Sequence, residues 1–293
     1  GHALVVEGGA MRGIFSAGVL DAFIRSDFYP FTVAYGVSAG ASNVAGYLAG
    51  MEGRNCRVYT DYMLRREFIR PLRFLLGGHY MDLDWLWEIT KAEVPLDVEK
   101  IIRSRVEFRI PVTRSDTGKT DYLVPEREDL IELLKAASAV PILYRGCPEI
   151  RGVPYSDGGI ADPIPARKVW EEGAGIITVI RSRPYDFLIE ENRLDPVSRY
   201  LLRKRPALYR ALKRRPALYN TQVSFLRDPP EGCEIRELNP PQSIPLSRLT
   251  RDIDVLNAAY DAGVEAGERY MHTYGGTGTV SMDFRMSPDT ANT

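Results

Sequence analysis

The stretch VVEGGAMRGIF, residues 5–15, constrains the fold more than any other. An apolar run stops at Glu7, small residues follow, and a second apolar run begins after Arg12 and Gly13. This is the pattern of a strand, a glycine turn and a helix, and such a turn offers backbone N–H groups to an anion. Three anions are candidates: a nucleotide phosphate, a dinucleotide pyrophosphate and the transient oxyanion of an acyl transfer. A P-loop needs GxxxxGK[ST], whereas Ile14 and Phe15 follow Gly13. A dinucleotide fingerprint needs glycine where Ala10 stands and an acidic residue after the second strand.

That second strand runs instead into YGVSAGAS. Gly36-Val37-Ser38-Ala39-Gly40 fits GxSxG, the nucleophile elbow, in which a serine sits on a sharp strand-to-helix bend whose flanking glycines keep side chains out. The plain alternative is an ordinary turn with serine as helix cap. An activated serine needs a base, and the chain has three histidines. His272, in ERYMHTYGG, is the one that the chain order of a Ser-Asp-His triad would select, although it ends a helix where a cation is favoured for its own sake. A carboxylate is the other option. Asp157 in PYSDGGIADPIP stands at a strand-to-turn junction, with Gly158 and Gly159 allowing close approach. In a poorly solvated site its raised pKa would let it take the serine proton, while the plain alternative is an Asp-Gly turn.

Strands expected at 3–6 and 31–37 alternate with helices at 14–24 and 38–50, which predicts an α/β fold with parallel strands. Residues 54–104 read as mostly helical. A hairpin spans 106–124 across RSDTGK, a helix follows at 127–137, and two short strands flank Gly152. PIPARKVWEEG reads as a helix and GIITVIRS as a buried strand, after which the core pattern is expected to be complete near Ser182.

Taken in order, EGGAMRGIFSAGVL, YGVSAGASN and YSDGGIADPIP resemble the patatin-like phospholipase family, and its small bacterial members in particular. The resemblance covers residues 4 to about 182. It implies an α/β/α sandwich with a mainly parallel central sheet, and a Ser–Asp dyad that cleaves fatty-acyl esters of lipids without cofactor or metal. Carried over by position, Ser38 is the nucleophile and Asp157 the general base. The loop Gly8, Gly9, Ala10, Met11, Arg12 and Gly13 forms the oxyanion hole, each donor being worth about 3–4 kcal/mol of barrier. Gly36 and Gly40 belong to the elbow, and Gly158 and Gly159 to the loop of the base. Ala10 departs from the third glycine usual in the family; a positive φ there would cost an alanine about 1 kcal/mol. Arg12 either steadies the loop or attracts a lipid phosphate.

The expected organisation is a catalytic domain over 3–182, a helical extension over 183–274 packed on the core, and a flexible polar tail over 275–293. Residues 199–215, RYLLRKRPALYRALKRR, hold eight Arg and Lys and no acid. On a helical projection Arg199, Arg203, Arg210 and Arg214 share a face opposite Leu201, Leu208 and Leu212, and Pro206 and Pro216 predict two helix starts. This cationic stretch, ending at Arg215, is either solvated or a peripheral contact with anionic membrane. A long helix is expected over 249–271.

A net charge of −1 supplies no general attraction to nucleic acid. Cys56, Cys147 and Cys233 are odd in number and lack CxxC spacing, which supports neither a disulfide framework nor a zinc site and suits a reducing compartment. No apolar stretch reaches the roughly 18 residues of a membrane span. Gly1-His2 reads as the remnant of a tag, and the expected location is cytoplasmic, at most peripheral at the inner membrane face. The functional alternatives are an esterase using Ser38 with His272, and a non-catalytic lipid-binding protein.

Overall fold

Ala3, Leu4, Val5 and Val6 are all fully buried, so their strand must be covered on both faces. The computed structural model describes residues 1–190 and 196–275. Its eight strands are β1 (His2–Val6), β2 (Val33–Gly36), β3 (Glu107–Arg114), β4 (Thr120–Leu123), β5 (Glu149–Ile150), β6 (Val153–Asp157), β7 (Ile176–Ile180) and β8 (Glu234–Leu238). They form one sheet in the order β5-β6-β3-β2-β1-β7-β8, with β4 also on β3. From β3 to β8 the pairing is parallel, whereas β4, β5 and β6 are joined antiparallel.

Helices α1 (Gly13–Arg25) and α2 (Ala39–Leu48) follow the first two strands. Between α2 and β3 lie α3 (Arg54–Arg57), α4 (Pro71–Leu75), α5 (Leu83–Glu93) and α6 (Val98–Ile102). Then come α7 (Leu130–Ala137), α8 (Ala166–Glu171), α9 (Pro196–Leu201), α10 (Pro206–Arg227) and α11 (Ile253–Tyr274). Alternation along β1 divides the core. Leu4 and Val6 pack with Phe15, Val44 and Leu133 from α1, α2 and α7, while Ala3 and Val5 pack with Val169, Tyr219 and Val223 from α8 and α10. The result is the expected α/β/α sandwich with a mostly parallel sheet. Each fully buried side chain such as Phe15 stabilises it by roughly 1.5–3 kcal/mol.

Residues beyond 182 do more than cover the core with helices. β8 extends the sheet beyond β7, and the polar sequence EIREL hides it because Glu234 is exposed and only Leu238 is fully buried. α11 lies along α1 so closely that a Cβ on Gly18 would fall 2.2 Å from the Tyr260 carbonyl oxygen, and one on Gly263 would fall 2.1 Å from that of Phe15. This helix begins at Ile253 and not at 249, because the Asp252 side chain accepts the Asp254 and Val255 N–H groups and caps it there.

One further expectation is corrected. Pro216 does not start a helix: α10 runs through it from Pro206, leaving the Leu212 carbonyl without its usual i+4 donor. His2 belongs to β1, its Nε2 is 2.8 Å from Thr178 Oγ1, and burial lowers its pKa to about 4. The tail expected from Gly275 falls, past that residue, outside the described residues.

Candidate active site

Between the end of β2 and the start of α2 the chain turns on Val37 and Ser38. Ser38 has φ 54° and ψ −126°, a conformation that costs a non-glycine residue about 1–3 kcal/mol. Hydrogen bonds hold the bend: Val37 N–H to the Val6 carbonyl at 3.0 Å, Gly40 N–H to that of Val37 at 2.8 Å, and Ala41 N–H to that of Ser38 at 2.9 Å. A Cβ on Gly36 would fall 2.5 Å from Ala41 Cα, and one on Gly40 would fall 2.4 Å from the Val6 carbonyl oxygen. The bend can therefore form only with glycine on both sides of the serine.

Asp157 is the last residue of β6, carried by β3 pairing to the same end of the sheet. Ser38 donates its hydroxyl proton to Asp157 Oδ2 at 2.5 Å, and the Gly159 N–H donates to Oδ1 at 2.7 Å. Thr113 donates to the Asp157 carbonyl at 2.8 Å. Both carboxylate oxygens are thus oriented. Burial raises the pKa of Asp157, against the opposing pull of the Ser38 and Gly159 hydrogen bonds and of nearby Arg215 and Arg248. A carboxylate that holds a proton more tightly is a better base toward a hydroxyl. Gly158 lets this loop approach β3, since a Cβ there would fall 2.0 Å from the Pro111 carbonyl oxygen.

The loop of residues 8–13 divides into two halves. The N–H of Met11 goes to the Arg248 carbonyl at 3.3 Å, that of Arg12 to the Gly9 carbonyl at 3.2 Å, and that of Gly13 to the carbonyls of Ala10 and Met11. Among the described residues, no acceptor engages the N–H groups of Gly8, Gly9 and Ala10, and these three residues line the cavity beside Ser38. Gly8 packs against the elbow, where a Cβ would fall 2.6 Å from Ser38 Cβ. Ala10 adopts φ 50°, so the strained alternative for this alanine is the one realised. Arg12 is buried and reaches Ser182 Oγ at 3.4 Å, while that hydroxyl donates to the Gly8 carbonyl at 2.7 Å. Its contact is with the loop's own support.

The cavity over these groups has a volume of about 440 Å³, in the range of small-molecule sites. Away from Ser38 and Asp157 its wall is mostly apolar, with Phe68, Met81, Leu83, Leu86 and Leu143 among the lining. No histidine lines it. His272 is exposed on the last turn of α11, and His79 is stacked on Tyr144 with Nδ1 accepting the Arg145 N–H at 2.9 Å. Among the described residues, no three His, Cys, Asp or Glu side chains converge where an ion could be held.

Sequence reasoning missed several participants. Asn43 donates to the Gly13 carbonyl at 2.7 Å and accepts from the Tyr59 hydroxyl at 3.3 Å, which ties α2 to the start of α1. Its signal was there: an amide in an otherwise small, apolar helix needs a partner. Arg215, bonded through Nε to the Gly159 carbonyl at 2.6 Å, and Arg248 also line the cavity. No motif surrounds either.

An α/β/α sandwich with a serine elbow beside a buried carboxylate is a hydrolase frame. The chain belongs to the patatin-like phospholipase family: the profile described as "Patatin-like phospholipase" matches residues 4–170. A second, "Domain of unknown function (DUF6363)", matches residues 205–276. Over 277 residues the chain is 34% identical to "Uncharacterized protein YjjU" of Escherichia coli (strain K12), covering 93% of this chain and 78% of that protein. Among solved structures it is similar to VipD from Legionella pneumophila, at 12% identity and a TM-score of 0.46, covering 93% of this chain and 67% of that one.

Proposed function

We propose that this protein hydrolyses fatty-acyl esters of lipids, as a phospholipase A or lysophospholipase, through Ser38 and Asp157. The observation that carries the reading is the 2.5 Å hydrogen bond from Ser38 to the buried Asp157 at the polar end of an apolar cavity. Asp157 takes the hydroxyl proton as Ser38 Oγ attacks the acyl carbon. The free N–H groups of Gly8, Gly9 and Ala10 face the oxygen on which charge develops. The alcohol leaves with the proton returned by Asp157. Water then attacks the acyl-serine, again giving a proton to Asp157, and Ser38 recovers it as the fatty acid departs. Labelling with a fluorophosphonate ester tests this: wild type is expected to be labelled and Ser38→Ala not, and an unlabelled wild type would favour a lipid-binding role.

The cytoplasm, with peripheral contact at the inner membrane face, is the proposed location. Cys56, Cys147 and Cys233 are all free thiols, which suits a reducing compartment. No helix among the described residues is long and apolar enough to cross a membrane. Arg199 in α9, Arg203 in the turn after it, and Arg210 and Arg214 in α10 are all exposed while Leu208 is buried, so the charges do not share one helix face as the projection expected, but each is open to anionic lipid. Arg215 is excluded from that surface by its bond to Gly159. Leu72, Leu75 and Leu76, each more than two-thirds exposed at α4, add an apolar contact close to Phe68 of the cavity wall.

A further inference from the structure

Three arginines line the cavity, and their partners differ. Arg54 is buried and occupied, donating to the Val94 carbonyl at 2.8 Å and to Asn55 Oδ1 at 3.2 Å. Arg215 and Arg248 have no carboxylate within ion-pair distance among the described residues. Arg12 and Arg183 stand close behind them, without an ion pair among the described residues; burial lowers the pKa of Arg12, Arg183 and Arg215, and the charge of Arg248 lowers each further. Glu7, which also lines the cavity, accepts the Ser182 N–H at 2.8 Å and lies 3.7 Å from Arg181, and Glu7 and Asp157 are the acids whose charge favours that of Arg215. Four arginines against these two acids leave a surplus of positive charge at the cavity, and a surplus with no ion pair at Arg215 or Arg248 favours an anion.

Each of the two lining arginines is also fastened to one half of the reactive machinery. Arg215 holds the carbonyl of Gly159, two residues beyond the base, and the Arg248 carbonyl accepts the Met11 N–H of the glycine loop. Arg248 is exposed, and no partner of its guanidinium is recorded among the described residues. Both come from the segment matched by the domain of unknown function, as do Leu212 and Pro216 of the cavity wall.

We propose that Arg215 and Arg248 bind the phosphate of a net-anionic headgroup, so that this carboxy-terminal segment selects the alcohol side of the ester while the apolar wall takes the acyl chain. The inference rests on the acyl-hydrolase reading of Ser38 and Asp157. A guanidinium fits a phosphate through two parallel N–H donors. A quaternary ammonium would meet these same cations and be repelled, so phosphocholine is disfavoured.

The test uses three monomeric, water-soluble dihexanoyl glycerol derivatives, bearing a phosphate monoester, a phosphocholine or no phosphate, which removes any effect of membrane binding. Wild type is expected to show kcat/KM on the phosphate monoester roughly tenfold or more above that on the phosphocholine ester. Arg248→Gln should remove most of that preference through KM, and Arg248→Lys should restore part of it. Arg248 is the residue to change because Arg215 also supports Gly159. Hydrolysis of all three esters without headgroup preference, or an equal loss on all three in Arg248→Gln, overturns the subsite alone. No hydrolysis of any ester by wild type overturns the acyl-hydrolase reading beneath it. Inorganic phosphate provides the last arm: competition weaker than that of the phosphate ester supports a lipid headgroup, and competition without ester preference assigns the site to free phosphate and overturns the proposal.

Discussion

The two ends of the chain contribute to one cavity in different ways. From residues 4–170 come Ser38, Asp157 and the free amides of the glycine loop, each set by backbone hydrogen bonds or by packing that only glycine permits. From residues 205–275 come Leu212, Arg215, Pro216 and Arg248, which bring shape and charge but no group placed to move a proton at the acyl carbon. On the proposed reading, chemistry and selectivity occupy separate stretches of sequence, so damage to each should appear in different kinetic constants.

The largest expected effect breaks the first region. Ser38→Ala should lower kcat by about 10⁴-fold or more, since the nucleophile and base act as a unit; a loss below tenfold, measured on a soluble ester, would move the chemistry elsewhere. Next comes the seam between the regions. Arg181 is fully buried at the end of β7, bound to Glu237 at 3.1 Å and to the Tyr219 hydroxyl at 2.7 Å, with Glu7 at 3.7 Å. Arg181→Met should cost about 3–5 kcal/mol in urea unfolding, because Glu7 loses the ion-pair partner beside it in the interior and Glu237 keeps Arg227 alone. Little change would mean that water or Arg227 compensates.

A smaller effect connects the regions through pH. Asp157 must be ionised to act, and its pKa is raised, so kcat/KM should fall on acidification at a pH above the ordinary carboxylate value of about 3.9. Arg215 favours the ionised form, and Arg215→Gln should therefore move this limb to higher pH. A limb that stays in place or moves down would separate Arg215 from the base. Smallest is Ala10→Gly, which relieves φ 50° and should add about 1 kcal/mol of stability, less what glycine's looser unfolded chain removes. A destabilised variant would show that the strain is compensated by contacts of the methyl group.

The first region was legible in the sequence because its constraints are local. A strand, a bend with two glycines and a small-residue helix lie within 33–48, and DGG marks its own turn. The second region was not. β8 is an edge strand in which three of five residues are charged, so it lacks the apolar run of a central strand. Pro216 reads as a helix start, yet tertiary packing of Tyr219 and Val223 carries α10 through it. Arg215 and Arg248 gain meaning only from Gly159 and Met11, which lie 56 and 237 positions away in the chain. The same limit applied within the glycine loop: six residues were candidates for the oxyanion hole, and only long-range and turn hydrogen bonds separate the three free amides from the three engaged ones.

The central claim is that a carboxylate and not a histidine activates Ser38, and one comparison tests it most directly. On the same neutral, monomeric ester, kcat is measured for wild type, Asp157→Asn and His272→Ala, with circular dichroism confirming that all are folded. The account predicts a loss of about a hundredfold or more in Asp157→Asn, the usual range for a general base, and a value within about twofold of wild type in His272→Ala, where the side chain is exposed and off the cavity wall. A severe loss in folded His272→Ala, with Asp157→Asn still active, would contradict it.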